Sequence, residues 1–352
     1  MTTDESRVFQ GWDEINDGET LISVRNMRKW FTVSKGFLSS ILHRQEHFTK
    51  AVDGISFDIR KGEVLALAGE SGCGKNTTGR CILHLEMPTD GKIIYAGQNI
   101  ATLDGIEIKE LRKRMQIIFQ DPYESLDPQQ SIFSIIQEPL LVHELPLSPS
   151  QRRQRVLEAL ESVALTPAED FIERHTRKLS GGQRQRVSVA RALILRPEFI
   201  VAYEPVSMLD VSIRAEILNL LLALREELGF TCLFITQDLA VATYVADRIG
   251  IMYLGRIMEI GPAREVAFSP LHPYTRALIS TFSSGNPTVK KRVESLKSEP
   301  PSSINVPSGC RFHPRCPYAK GICIREIPDD KDMGEDHLVA CHFAGELPEV
   351  QL

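Results

Sequence analysis

Two glycine-rich segments carry residue types suited to phosphate chemistry. The first is Gly69-Glu70-Ser71-Gly72-Cys73-Gly74-Lys75-Asn76-Thr77, which nearly matches G-x-x-x-x-G-K-[ST]. Glycines let the backbone wrap so that successive N–H groups face phosphate oxygens, and a helix starting there adds a favourable dipole. On this reading Gly69, Ser71, Gly72, Gly74, Asn76 and Thr77 surround the phosphates, and Lys75 bridges the terminal ones. The second segment, Leu179-Ser180-Gly181-Gly182-Gln183-Arg184, places Ser180 as an N-cap before two glycines that open a helical pattern. It lies about 105 residues after the first. A third group is made of sulfur. Cys310, Cys316, Cys323 and Cys341 are separated by five, six and seventeen residues. Four thiolates suit a tetrahedral zinc or an iron–sulfur cluster. The lack of a C-x₂-C pair argues against an ordinary zinc knuckle. His313, His337 and His342 are alternative zinc ligands, and reduced, partly buried cysteines are the plain alternative.

The elements that must position these residues follow from apolar patterning. Glu63–Gly69, Met115–Phe119, Phe199–Tyr203 and Thr231–Thr236 are short apolar runs and read as buried strands. Ile213, Ile217, Leu221, Leu224 and Leu228 form one helical stripe, with Gly229 as its C-cap. Strands alternating with helices predict an α/β fold with a mostly parallel sheet. Residues 121–190 have helical patterns and no clear strand, and read as a helical insertion. Ile249–Leu254 and Ile257–Ile260 read as a hairpin turning at Gly255-Arg256. The expected organisation is a polar tail at 1–20, a main domain at 21–285, a linker at 286–308 rich in Pro, Ser and Lys, and a cysteine tail at 309–352. A tail this short has little core of its own, so a bound cluster would serve it as a staple.

Composition narrows the function classes. The chain has 352 residues, 42% hydrophobic and 25% charged, which excludes disordered, collagen-like and coiled-coil chains. The net charge of −5 gives no basic field for nucleic acid. No apolar run approaches the ~18 residues of a membrane span. The segment before Thr20 lacks a basic start followed by an apolar stretch, so no secretory signal is expected. Seven cysteines, an odd number, suit a reducing compartment. Cys73, Cys81 and Cys232 read as structural.

Taken together, Leu179–Gln183 and the phosphate loop resemble the ATP-binding subunits of ABC transporters. The resemblance covers roughly residues 20–285. It includes Gln120, Glu204 after its strand, and Ser207-Met208-Leu209-Asp210. Lys50–Gly54, Gln120–Leu126, Leu271–Leu278 and Gly309–Pro317 resemble the oligopeptide/dipeptide importer branch. The resemblance implies a P-loop fold with a RecA-like core and a helical subdomain. It implies two ATPase subunits that sandwich two ATP molecules, each site combining one subunit's phosphate loop with the other's signature motif. The implied roles are catalysis for Glu204, Gln120 and Gln237. Nucleotide contact is implied for Asp210 and for Ser180, Gly181, Gly182 and Gln183. Adenine stacking falls to Phe31 first and Trp30 second, with two core aromatics as the plain alternative. The resemblance also implies a [4Fe–4S] cluster on the four cysteines, ahead of zinc. The implied partners are a second ATPase, two permeases and, indirectly, an external binding protein. The implied location is peripheral, on the cytoplasmic face of the membrane. A soluble ABC ATPase and a non-catalytic regulatory subunit are the competing readings.

Three positions depart from the family pattern. Asn76 replaces the Ser or Thr whose hydroxyl ligates Mg²⁺. Thr77 cannot take over, being rotated by about 100° along the helix. Tyr203 replaces an aspartate and brings a neutral phenol. Gln237 replaces a histidine and cannot carry a charge or relay a proton. The expectation is a nucleotide site that binds but turns over poorly, with a weakened Mg²⁺ position and an intact signature motif that completes a partner's site.

Overall fold

A computed structural model describes residues 20–32, 48–282 and 301–348. The expected N-terminal tail, up to residue 19, and residues 286–300 of the expected linker lie outside the described residues. The chain forms two compact units. Of the described residues, one comprises 20–32, 48–59, Leu65–Ala101, 236–282 and 301–348, the other Arg60–Val64 and Thr102–Ile235.

In the first unit the strand Val64–Ala68 is buried at all five positions. A run with no polar face must be covered on both sides, which suits a parallel pairing. Leu65–Ala68 pairs in parallel with Arg248–Ile251. The hairpin partner Arg256–Pro262 continues the sheet antiparallel. The turn falls one residue earlier than the sequence suggests. Tyr253 pairs with Arg256, leaving Leu254 (φ 44°) and Gly255 (φ 79°) at the bend. A two-residue turn of this hand needs positive φ at both positions, and glycine at the second accepts it without strain. Gly255 also donates its N–H to Cys73 O at 2.8 Å, so the turn braces the phosphate loop.

A second, antiparallel sheet in this unit escapes sequence patterning. Thr20–Thr32 pairs with Asp90–Tyr95 from Ile22↔Tyr95 to Arg28↔Asp90, with an irregularity between Arg25 and Arg28. The tail joins the first sheet: Leu338–Val339 pairs antiparallel with Ile260 and Glu259. Residues 301–308 carry no helix or strand.

In the second unit Met115–Ile118, Phe199–Tyr203 and Thr231–Ile235 form parallel neighbours, with Met115↔Phe199 and Phe199↔Thr231 in register. The helix Val211–Leu228 carries the expected stripe, with Ile217 and Leu224 buried, and ends at Gly229 in the left-handed region. The stripe fades at Leu228, which is exposed. Between Pro122 and Leu193 the described residues form helices, including Ile132–Val142, Pro149–Ser162 and Gly181–Leu193. Several open on a side-chain cap, at Ser131, Ser148 and Ser180. Capping satisfies backbone N–H groups that the helix itself cannot pair.

Candidate phosphate-binding site

The strand Val64–Ala68 delivers the loop Gly69–Gly74 directly to the helix Lys75–Ile82. Gly69 and Gly74 have φ of 146° and 111°. A Cβ on Gly69 would run into Met252 O, and one on Gly74 into Ala51 O. Backbone packed on both sides thus requires glycine at these two positions. Lys75 is buried, at 4% exposure, yet its ammonium stays hydrogen-bonded. Nζ donates to Gly69 O at 2.7 Å and to Glu70 O at 3.0 Å. The positive charge is therefore held at the mouth of the loop by backbone carbonyls. The first turn has Gly74 as N-cap and no side-chain cap. Ser71, Gly72 and Asn76 are exposed and Thr77 is half-buried. Such a first turn offers backbone N–H groups and a positive dipole end to an anion. Cys73 is buried 3.6 Å from Lys75 Nζ, and burial pushes its thiol pKa up.

Gln237 follows the strand Thr231–Ile235 and is exposed. Thr236 N–H donates to Leu67 O at 3.1 Å, which sets Gln237 beside the end of the phosphate-loop strand. Asp238 caps the next helix, its Oδ1 accepting from Ala240 and Val241.

Of the aromatic candidates, neither is a core residue. Phe31 is 38% exposed, with Lys29 Nζ 5.0 Å from its ring centroid. Trp30 is half-buried. Its Nε1 donates to Asp53 Oδ1 at 3.0 Å, and Lys50 Nζ sits 4.6 Å from its ring.

In the second unit the structure brings Gln120 and Glu204 together: Gln120 Nε2 donates to Glu204 Oε2 at 3.3 Å. Glu204 is buried and has φ 40°, a left-handed conformation that costs a non-glycine residue about 1–3 kcal/mol. Its N–H donates to Ile235 O at 2.8 Å, and its carbonyl accepts from Ser207. Tyr203 is buried at the end of its strand. Mg²⁺ prefers short bonds from hard, charged oxygens. Neither the amide of Asn76, in the first unit, nor the buried phenol of Tyr203, in the second, is such an oxygen.

The signature helix is built differently. Ser180 Oγ accepts from Gln183 N–H at 3.3 Å, and Gln183 Oε1 accepts from Ser180 N–H at 3.0 Å. This reciprocal pair is a capping box. Gly182 is packed so that a Cβ would lie 2.7 Å from Ile213 Cγ2. Asp210 is the exposed N-cap of Val211–Leu228, with no side-chain cap bond.

The four tail cysteines line one cavity of about 20 Å³ together with His272, His313, His342 and Phe312. Burial pushes the Cys310 thiol up to about 11 and that of Cys316 to about 12, and raises that of Cys341. Among the described residues no group of three or more His, Cys, Asp or Glu is arranged to hold a metal ion. The sequence expectation is thus met in proximity and not in ligand geometry. His337 lies elsewhere, its Nε2 2.8 Å from the fully buried Glu259.

The tail also brings residues that sequence reasoning passes over. Arg311 pairs with Asp53 and donates to Leu254 O at 2.8 Å. Arg315 makes two bonds to Glu70, at 2.8 and 3.0 Å. Phe312 is buried against the rings of Tyr253 and Tyr274, at 5.5 and 5.3 Å. The only sequence signal is two arginines flanking a phenylalanine inside a cysteine pair.

Comparison with known proteins bears on this geometry. The ABC transporter family matches residues 52–207, and the oligopeptide/dipeptide transporter C-terminal region matches residues 258–323. The oligopeptide transport ATP-binding protein AppF of Bacillus subtilis is 45% identical over 92% of this chain and 98% of its own length. The dipeptide transport ATP-binding protein DppF of Haemophilus influenzae is 42% identical over 94% and 98%. Among solved structures, the dimeric ATP-binding cassette MJ0796 bound to ADP and phosphate aligns with a TM-score of 0.60 at 29% identity. It covers 69% of this chain and 99% of that one. With such identity over nearly the whole of its relatives, the chain belongs to the ATP-binding subunits of oligopeptide/dipeptide-type ABC transporters.

Proposed function

We propose that this chain binds ATP on Gly69–Thr77 and energises a peptide-type importer by nucleotide-driven pairing with a second ATPase subunit. The observation that carries the reading is the phosphate loop itself. Its glycines are enforced by backbone contacts, and Lys75 is held at its mouth by Gly69 O and Glu70 O. In this reading Lys75 and the uncapped first turn bind the phosphates, and Phe31 stacks on the adenine. Gln237 donates towards the γ-phosphate, and within the second unit Glu204, oriented by Gln120, serves as the catalytic carboxylate.

Turnover at this chain's own loop is impaired, because Asn76, Tyr203 and Gln237 remove a hydroxyl, a carboxylate and an ionisable ring where charge must be balanced. The capping box at Ser180 leaves the signature segment fit to complete the partner's site. Two permeases and, indirectly, an external binding protein complete the assembly, with this chain peripheral on the cytoplasmic face of the membrane. Among the described residues no helix is long and apolar enough to cross a membrane, so contact with it would run through the permeases. We also place a [4Fe–4S] cluster on Cys310, Cys316, Cys323 and Cys341, supported by their shared cavity and by the affinity of thiolates for iron. Such a cluster would cross-link the tail.

Purification of the chain expressed with its neighbouring transporter genes tests the assembly. Recovery with two permeases and a second ATPase is the expected result, and a free monomer that binds no ATP would sink the reading. Iron and acid-labile sulfide analysis of anaerobically purified protein tests the cluster. A colourless, iron-free preparation with one zinc per chain would replace it with zinc.

A further inference from the structure

Glu70 presents a difficulty for an anion site. It is the second residue of a loop whose glycines, helix end and lysine all favour negative ligands. A carboxylate there repels a phosphate, and at low effective dielectric such repulsion costs several kcal/mol at ~4 Å. The tail supplies the remedy. Arg315 NH1 lies 2.8 Å from Glu70 Oε2 and its NH2 lies 3.0 Å from Oε1. This two-pronged pairing is the strong form of an arginine–carboxylate contact. The Arg315 side chain is 2% exposed and that of Glu70 21%, so water screens the pair little. Tyr253 OH accepts a further bond from Arg315 NH1 at 3.2 Å. The backbone of Glu70 is fixed from the same side, its N–H donating to the buried Tyr274 OH at 3.1 Å.

The segment that carries Arg315 is itself pinned. Arg311 holds Asp53, whose other oxygen accepts from Trp30. Phe312 wedges against Tyr253 and Tyr274. The five residues Arg311–Arg315 thus reach both the phosphate loop and the wall beside the aromatic candidates.

We propose that Arg315 is a positioning residue for the phosphate loop: it neutralises Glu70 and holds its carboxylate away from the nucleotide phosphates, so nucleotide affinity depends on the tail. This rests on the reading that the loop takes the phosphates of ATP. A role in charge differs from a role in folding by its rescue. Removing Arg315 exposes a bare carboxylate, and removing that charge as well relieves the repulsion.

The test measures ATP, ADP and adenosine binding to the full chain by calorimetry. Arg315→Ala weakens ATP and ADP at least about tenfold and leaves adenosine unchanged, an effect of roughly 1.4 kcal/mol or more. Adding Glu70→Gln to that variant recovers most of the affinity. Glu70→Gln alone, which keeps a neutral partner for Arg315, binds ATP at least as tightly as the parent chain. Arg325→Ala, an exposed arginine elsewhere in the tail, changes nothing. Unchanged ATP affinity in Arg315→Ala, or a double variant no tighter than the single, overturns the proposal. Should Arg315→Ala not fold, a tenfold weaker Glu70→Gln overturns it equally. A parent chain that binds no ATP overturns the reading of the loop, and this proposal with it.

Discussion

The helices Lys75–Ile82 and Gly181–Leu193 both have glycine at their start, Gly74 just before the first and Gly181 and Gly182 within the second, yet their first turns are finished by different means. Gly74 is the N-cap of the first, in a left-handed conformation and with no side-chain cap, and Lys75 is turned back onto Gly69 and Glu70. Ser180 and Gln183 cap the second reciprocally. A first turn without a side-chain cap leaves donors for an external anion. A capped one is self-sufficient and offers a hydroxyl. The same glycine-to-helix pattern therefore suits the proposed receiving site in one case and the proposed presenting surface in the other.

Alanine at the two glycines breaks the comparison most sharply. Gly74→Ala forces a Cβ towards Ala51 O in a left-handed backbone. The expected loss is about 3–5 kcal/mol, read as a fall in denaturant midpoint. Gly181→Ala meets only Leu209 Cδ2 at 3.5 Å, ordinary contact, and should stay within about 1 kcal/mol. Equal losses at the two sites would show that the glycines serve one common purpose.

Lys75→Ala comes next. It should weaken ATP binding on the order of 100-fold, about 2.7 kcal/mol, by removing the ammonium held at the loop mouth. Ser180→Ala has the smallest expected effect on the isolated chain. Loss of the cap costs about 1 kcal/mol of stability. ATP affinity should not change, since Ser180 would serve a partner's nucleotide. A tenfold loss of affinity in Ser180→Ala would contradict this division of labour.

Local features of the fold were legible in the sequence. The phosphate loop combines a continuous apolar strand, glycines and a helix within twenty residues, and the hairpin was placed to within one residue. The stripe ending at Gly229 was also correct, because helical period and a C-cap glycine are local signals. The sheet formed by Thr20–Thr32 was not legible. Arg25, Arg28 and Lys29 mask its alternation, and the irregularity near Asn26, at φ 47°, shifts the phase.

At the site, residue types were readable and their long-range partners were not. Arg311 and Asp53 are 258 positions apart, and Arg315 and Glu70 are 245 apart. No local pattern can announce such pairs. They also change the picture of the tail. It does not depend on a cluster alone, since Leu338–Val339 joins the sheet and Phe312 is buried against Tyr253 and Tyr274. The cysteines mark the limit from the other side. Their spacing suits a gathered group and they line one cavity, but no spacing along the chain specifies how four sulfurs are aimed at a common centre.

The most direct test of the central claim is ATP hydrolysis per site in the complex of this chain with its partner ATPase. The parent complex is compared with one carrying Asn76→Ser, Tyr203→Asp and Gln237→His. The account predicts that the substituted complex gains turnover at this chain's loop, while ATP affinity there changes little. Equal hydrolysis per site in the two complexes would contradict it.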